Sequence, residues 1–418
     1  MSELLFLCHR MPYPPNKGDK IRAYHWLKAL AANYRVHLGT FVDDPQDWVH
    51  RPALEPLCAT SCFTSLEPRR AKLRSVSGLL RREALSLAYY RDRAMARWVK
   101  RVLAEHPISA ILVFSSTMAP YVKSVTDRRR VLDFVDVDSD KWRQVAGRSR
   151  APMRWVYRRE ARKLLWAERR MAREFDASVF VSEAEADFFR RAAPESAEHV
   201  HAIGNGVDAD YFDPESEHAD PYGGQGGRQI VFTGVMDYSA NIDAVDWFVA
   251  EVLPLIRTRM PDVGFTIVGA RPTARVTALA DEPGVTVTGS VDDVRPYTRH
   301  AAVAIAPMRI ARGIQNKVLE ALAMGRPVVM TPQAAAGLVP ADAAFASVAD
   351  EPENFANAVV DALTRDESTE SVSDSARAYV RRYYSWAARF DELLALMAEG
   401  HASDSDQSTR LQASTGLR

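Results

Sequence analysis

Residues 309–329 read RIARGIQNKVLEALAMGRPVV. A short apolar run, Ala301 to Met308, ends just before this stretch, and a polar loop carrying Arg312 and Gly313 follows it. The spacing predicts a helix over 314–324 that stops at Gly325, with RPVV entering the next strand. Gly313 has no side chain, so the backbone there can approach a ligand closely. The first turn of a helix presents N–H donors and the positive end of the helix dipole, a natural seat for a phosphate. Lys317 would add a full positive charge. Glu320, three residues further along the same face, is a carboxylate suited to the hydroxyls of a ribose. Val318, Leu319 and Leu322 read as the core face. The plain alternative is an ordinary amphipathic helix with an exposed Lys317–Glu320 pair.

The same alternation of strand and helix extends in both directions. QIVFTGV, GFTIVGA, VTVTGSV and AVAIAPM read as buried strands, and NIDAVDWFVAEVLPLIRTRM as a helix among them. The chain before residue 204 repeats the theme. LLFLCH, VHLGTFV, AILVFS, RRVLDFVDV and ASVFVS are strand-like, with IRAYHWLKALAANY an amphipathic helix. Strands separated by helices imply parallel sheets covered on both faces. Between the halves lies DPESEHADPYGGQGG, a polar and glycine-rich linker. Its glycines precede a strand instead of following one, which argues against a phosphate loop. SARAYVRRYYSWAARFDELLALMAE reads as one final helix, and the Ser/Asp-rich residues after Gly400 as a disordered tail.

At 418 residues the chain is long enough for two domains. No apolar run approaches the length of a membrane span. The N-terminal LLFLC lacks the basic flank of a signal peptide and reads as a first strand. Three cysteines, Cys8, Cys58 and Cys62, form no disulfide framework and fit a reducing, cytoplasmic setting. Net charge is zero overall, but residues 1–203 hold 36 Lys/Arg against 24 Asp/Glu, a balance of +12. The first half therefore faces something anionic, with nucleic acid and an anionic membrane as the candidates. A nicotinamide-linked oxidoreductase would need G-x-G-x-x-G after the first strand. HRMPYPPNKGD, with Gly18 alone, does not supply it.

Taken in order, several segments resemble GT-B glycosyltransferases of the glycosyltransferase-4 type. Glu320, Ala321, Ala323, Gly325, Pro327 and Val328 match that family's Glu-Ala-x-Ala-x-Gly-x-Pro-Val pattern. FVSEAEADFF, IGNGVDADYF, and IVFTGVMDYSAN with Gly234 and Asn241 are similar to its segments around the domain junction. PYPPNKGDKIRAYHWLKAL, through Gly18 and Arg22, is similar to its N-terminal proline–glycine loop. DFVDVDSDKW and RIARGIQNKVLEA resemble the sugar transferases associated with exosortase-type exopolysaccharide clusters.

The resemblance implies an α/β GT-B fold: two tandem Rossmann-like doubly wound domains with a cleft between them. Residues 1–204 would be the acceptor-side domain, 205–228 the linker and 229–380 the nucleotide-sugar domain. A helix over 381–399 would pack back toward the first domain. The implied reaction moves a sugar from a nucleotide-sugar donor to a glycan or lipid-linked acceptor, with retention, without a metal or other cofactor, and without nucleic acid. The protein is expected to be cytoplasmic, with peripheral contact at the inner face of the plasma membrane as a further expectation. Gly18, Arg22, Gly234, Gly313, Lys317 and Glu320 are the expected donor-binding residues.

The sequence departs from the family in two places. Most members carry a glutamate where Arg312 stands, and many carry Arg and Lys near the positions of Met236 and Asn241. Arg312 and Lys317 are expected to supply that charge. The missing glutamate also leaves open a scaffold that binds nucleotide without turnover.

Asp136 and Asp138 end a predicted strand, where open α/β sheets bind ligands. They are expected to act on the acceptor or in catalysis, with Asp138 or Ser139 as a helix cap the alternative. Two basic stretches account for the charge asymmetry. RRAKLRSVSGLLRR is expected to touch an anionic membrane. RWVYRREARKLLWAERRMAREF is expected to pack on the core, with Glu160, Glu168 and Glu174 on a solvated face.

Overall fold

β1 (Glu3–Cys8) is buried along its whole length, as a strand covered on both faces must be. It sits inside a parallel sheet with β2 (Arg35–Val42), β3 (Thr60–Ser65), β4 (Ile108–Phe114), β5 (Arg129–Val135), β6 (Ala177–Phe180) and β7 (Val200–Ala202). The order is β3-β2-β1-β4-β5-β6-β7. Leu5 pairs with His37 on one side and Ile111 on the other. Parallel neighbours require crossovers, and helix Gly18–Asn33 makes the first of them. The strand order reverses between β1 and β4, the switch point at which ligands of such sheets bind.

A second parallel sheet comprises β8 (Gln229–Thr233), β9 (Gly264–Val268), β10 (Val285–Gly289), β11 (Val303–Ala306), β12 (Val328–Met330) and β13 (Ala346–Val348). Its order, β10-β9-β8-β11-β12-β13, reverses between β8 and β11. Phe232, Phe248, Phe265 and Phe355 are fully buried in its core. The computed structural model divides the chain into two units, Met1–Asn205 with the chain from Arg389 onward, and Gly206–Ala388. It describes residues 1–15, 18–80, 83–224, 228–310, 314–336, 338–339, 341–342, 344–365 and 370–398. The tail after Gly400 lies outside them. Among the described residues no helix is long and apolar enough to cross a membrane.

Two expected helices are interrupted. The first runs as Ser239–Trp247, a π-helical turn Phe248–Val252, and Leu253–Arg257. Pro254 explains the widened turn: it lacks an N–H, and its ring crowds the carbonyl of the preceding turn. The C-terminal helix breaks at Ser385 into Glu370–Tyr384 and Trp386–Ala398. There the Val207 N–H donates to the Tyr384 carbonyl at 2.7 Å, and Val207 bridges Ser385. The turn N-terminal to this bridge needs Gly206, because a Cβ at that position would lie 2.7 Å from the Trp386 ring.

The long basic helix Met153–Glu174 buries Leu164, Ala167 and Met171, as its pattern predicts. Its glutamates correct the expectation. Glu160 and Glu168 turn inward, while Glu174 pairs with Arg170 on the surface. Glu160 accepts from the Leu85 and Ser86 N–H groups at 2.6 and 2.9 Å, which caps helix Leu85–Tyr89 from outside.

Candidate active site

The switch point of the second unit brings the end of β8 beside the segment that follows β11. Phe232 lies at the end of β8, and its ring faces the Lys317 ammonium at 4.1 Å. Asn241 fixes that ammonium, its Oδ1 accepting from Lys317 Nζ at 2.7 Å. The Asn241 amide in turn donates to the Val235 carbonyl at 2.9 Å. Where the resemblance implied a cation, the Asn241 side-chain amide instead holds the cation of the neighbouring helix. Burial lowers the Lys317 pKa to about 7, against the pull of Glu320. Burial raises Glu320 to about 7, against the pull of Lys317. Both side chains are half-buried, so each loses part of its hydration and is incompletely compensated. In place of the exposed Lys317–Glu320 pair of the plain alternative stands a half-buried ammonium on an amide, with the carboxylate nearby.

The backbone around them is close-packed. A Cβ on Gly234 would lie 2.7 Å from the Asn241 amide nitrogen and 3.3 Å from Lys317 Nζ. A Cβ on Gly269, after β9, would lie 1.6 Å from the Gly234 carbonyl oxygen. Both positions must therefore be glycine for Lys317 to reach its seat. Helix Asn316–Ala323 opens two residues later than expected, so Lys317 stands in its first turn. Gln315, the cap residue, makes no side-chain hydrogen bond to it. Gly325 ends it with φ +68°, the left-handed cap expected. Arg312 and Gly313 lie outside the described residues. Met236 is buried in the core.

The structure thus brings Gly234, Lys317 and Glu320 together. Two ion pairs that sequence reading missed flank them: Arg309 with Asp243 and Arg271 with Asp237. Their separations along the chain follow no local period, so no pattern announced them.

In the first unit Arg22 is placed otherwise than expected. It is fully buried, with Nε donating to Asp133 Oδ2 at 2.7 Å and Nη1 to the Gly204 carbonyl and Asn205 Oδ1 at 3.1 Å. Trp26 Nε1 donates to the same Asp133 oxygen at 2.9 Å. The Arg22 charge is spent inside this unit, on Asp133. Gly18 opens helix Gly18–Asn33, and a Cβ there would meet nothing within 4 Å.

Asp136 and Asp138 share one cation, Lys141 Nζ, at 2.7 and 3.1 Å. Their charge raises the Lys141 pKa. Neither Asp138 nor Ser139 caps helix Asp138–Arg148 with its own side chain. Glu185 accepts from the Val137 N–H at 2.9 Å, and Glu168 from the Ser139 N–H at 3.1 Å. Carboxylates from two other helices therefore satisfy its opening N–H groups. Burial pushes Glu168 up to about 8. At the carboxyl ends of β1 and β2, Arg10 pairs with Asp19 at 2.6 Å and Asp43 at 2.8 Å, beside His9. That cluster was also missed, although Arg10 directly follows the predicted strand LLFLCH.

Among the described residues one group has metal-ligating spacing: Glu3, His37 and His106. It lies at the amino end of the sheet, where Glu3 meets His37 at 2.9 Å and His106 at 3.0 Å. Asp136 and Asp138 form no such group. The family resemblance implies that stripping divalent ions leaves transfer activity intact. Loss on chelation that Mn²⁺ or Mg²⁺ restores would assign a metal to the Asp136–Asp138 pair.

With this geometry the comparisons agree. Residues 227–365 match the family model described as Glycosyl transferases group 1. No sequence among curated proteins matches the chain. Solved structures share its fold end to end. Anabaena Alr3699/HepE in complex with UDP, 14% identical with a TM-score of 0.63, covers 96% of this chain and 100% of its own. Sucrose-phosphate synthase from Thermosynechococcus elongatus, at 16% and 0.63, covers 96% and 100%. The α,α-trehalose 6-phosphate synthase of Burkholderia multivorans, at 13% and 0.59, covers 97% and 100%. The fold is that of the GT-B glycosyltransferases, and the second unit carries a glycosyl transferases group 1 domain. By class the protein is a glycosyltransferase.

Proposed function

We propose that this protein moves a hexosyl group from a nucleotide sugar to a glycan or lipid-linked acceptor in exopolysaccharide or cell-envelope synthesis. On this reading it is a glycosyltransferase-4 type enzyme of the exosortase-associated group, retaining and independent of metal. The observation that carries the reading is the Lys317 ammonium, held by Asn241 at 2.7 Å and short of counter-charge. The leaving nucleoside diphosphate gains negative charge as the glycosidic bond breaks. A preorganised cation beside a helix N-terminus stabilises that charge without reorganisation. Glu320 receives the ribose hydroxyls. Arg312 adds charge in place of the glutamate usual there, and Asp136 or Asp138 orients the acceptor. UDP is the first nucleotide to test, since the Anabaena protein was solved with UDP and with UDP-glucose.

A thermal-shift screen of nucleoside diphosphates is expected to raise the melting temperature with one base preferred, because ligand bound to the native state adds stability. A donor-hydrolysis assay separates an enzyme from a scaffold. Nucleotide binding without hydrolysis or transfer, across UDP-, GDP- and ADP-sugars, would favour the scaffold.

Peripheral attachment to the membrane through helix Pro68–Leu80 is part of the proposal. Leu73 and Val76 are exposed there at 73% and 58%, among Arg69, Arg70 and Lys72. Arg81 and Arg82 of the same stretch lie outside the described residues. Each basic residue near an anionic surface is worth about 1 kcal/mol. Replacing Arg69, Arg70 and Lys72 with Gln is expected to weaken vesicle binding by roughly two orders of magnitude, and added salt to mimic it. Equal binding by parent and variant would remove this helix from the membrane.

A further inference from the structure

Helices Asp138–Arg148, Met153–Glu174 and Glu183–Ala192 line a half-open cavity of about 530 Å³ in the first unit. This lies within the range of small-molecule sites, roughly 300–1,000 Å³. Its apolar lining comes from Ala161 and Leu165 of the long helix and Phe188 and Ala192 of the third, with Trp155 beside them. Trp155 is 64% exposed, although the neighbouring Trp142 and Tyr157 stack on each other at 5.3 Å between the first two helices. The hairpin could have buried an indole and instead leaves this one at the cavity.

The polar part of the lining is Ser139, Asp140, Arg143, Arg158 and Arg162, a positive excess of two. Arg143 is neutralised by Asp140, with Nε donating to Oδ1 at 2.7 Å. Arg158 and Arg162 also line the cavity, and both are exposed. Among the described residues neither has an ion pair or a hydrogen bond. They stand four residues apart on one helix face, where like charges repel. The same face carries Trp155 and Leu165, three residues before and after them, so charge and apolar surface converge. An anion would relieve the repulsion, and an apolar chain would cover the floor.

We propose that this cavity binds a single-chain lipid phosphate, its chain along Leu165, Phe188 and Ala192 and its phosphate on Arg158 and Arg162. Charge complementarity chooses this occupant. A neutral lipid leaves two facing guanidinium groups uncompensated, and a free phosphate leaves the apolar lining bare. The binding is independent of donor chemistry and of sugar transfer.

Alkyl phosphates below their micelle concentration test it by titration calorimetry on the full chain, with Trp155→Phe assigning the fluorescence change. Dodecyl phosphate is expected to bind at one site per chain, and each methylene removed to weaken it up to about fourfold. Dodecyl maltoside, equally long but uncharged, is expected to bind at least roughly tenfold more weakly. The exposed double variant Arg158→Gln/Arg162→Gln is expected to fold as the parent does and to bring dodecyl phosphate down to the level of the maltoside. Leu165→Gln is expected to weaken the alkyl phosphate while leaving its melting temperature near that of the parent. Affinity independent of chain length, or matched by inorganic phosphate, would overturn the lipid assignment. So would equal binding of the neutral amphiphile, or no binding of dodecyl phosphate. A double variant that loses anionic vesicles but keeps monomeric dodecyl phosphate would make this a membrane-facing surface instead.

Discussion

Lys317→Ala is expected to lower nucleoside diphosphate affinity roughly tenfold to hundredfold while leaving the protein folded. A hydrogen bond from a charged donor is worth about 1.5–3 kcal/mol, and this donor is already oriented by Asn241 and by the face of Phe232. Asn241→Ala, which keeps the charge but frees the chain that bears it, is expected to cost less. Calorimetry of UDP binding, with melting curves beside it, checks both. Unchanged affinity in a folded Lys317→Ala variant would make helix Asn316–Ala323 a scaffold and move the donor site elsewhere.

The pH dependence has a definite sign. In the free protein the Lys317 pKa is depressed to about 7, so the ammonium loses its proton as pH rises through neutrality. A bound diphosphate favours the charged form and raises that pKa. Affinity is therefore expected to fall as pH rises above 7, with proton uptake on binding. Glu320, raised to about 7, works oppositely when ribose hydroxyls donate to its carboxylate, and releases a proton. In Lys317→Ala only the second effect remains, so the net exchange is expected to turn from uptake toward release. Titrations in two buffers of different ionisation enthalpy measure it. The stability linkage runs the other way. A depressed lysine pKa is a cost to folding, fully present below about 7 and gone above the unfolded value near 10.4. Lys317→Ala is expected to be no less stable than the parent at neutral pH.

Asp133→Ala is expected to cost about 3–5 kcal/mol of stability, the range seen when one member of a buried ion pair is removed. Asp133 and Arg22 are both fully buried. Removing the carboxylate leaves the Arg22 charge unneutralised and takes away the oxygen that accepts from Arg22 Nε and Trp26 Nε1. A third contact goes with them, since Asp133 Oδ1 accepts from the Val135 N–H at 3.0 Å. Val135 sits at φ +69°, a left-handed backbone that a β-branched residue rarely adopts. It lies where the β5–β6 register shifts, just before Asp136. Arg22→Met/Asp133→Leu is expected to recover much of the loss, because a packed apolar pair needs no compensation. Denaturant melts of the three proteins decide it. A loss under about 1 kcal/mol in Asp133→Ala would mean that water or a shifted side chain satisfies Arg22.

Strand and helix periods depend on which side chains alternate toward a core, and that information is local. The two parallel sheets were legible for this reason, from LLFLCH to RPVVMT. So was the helix carrying Lys317 and Glu320, because its apolar face and its Gly325 cap are written in consecutive residues. β3, whose TSCFTS is polar and only half-buried, shows no apolar run, and β7 and β13 are three residues each. The π-helical turn and the break at Ser385 arise from Pro254 and from pairing with Val207, a partner 178 residues away in sequence.

Charge partners were the least legible. Arg22 and Lys317 looked alike as cations near glycine loops. Asp133, 111 residues from Arg22, neutralises the first in the core. Asn241, 76 residues from Lys317, holds the second without neutralising it. The sequence by itself determined two α/β sheets and the helix that bears the donor-site charges. Only the tertiary structure decided which cations stay available to a ligand, because pairing and desolvation depend on distances that folding alone creates.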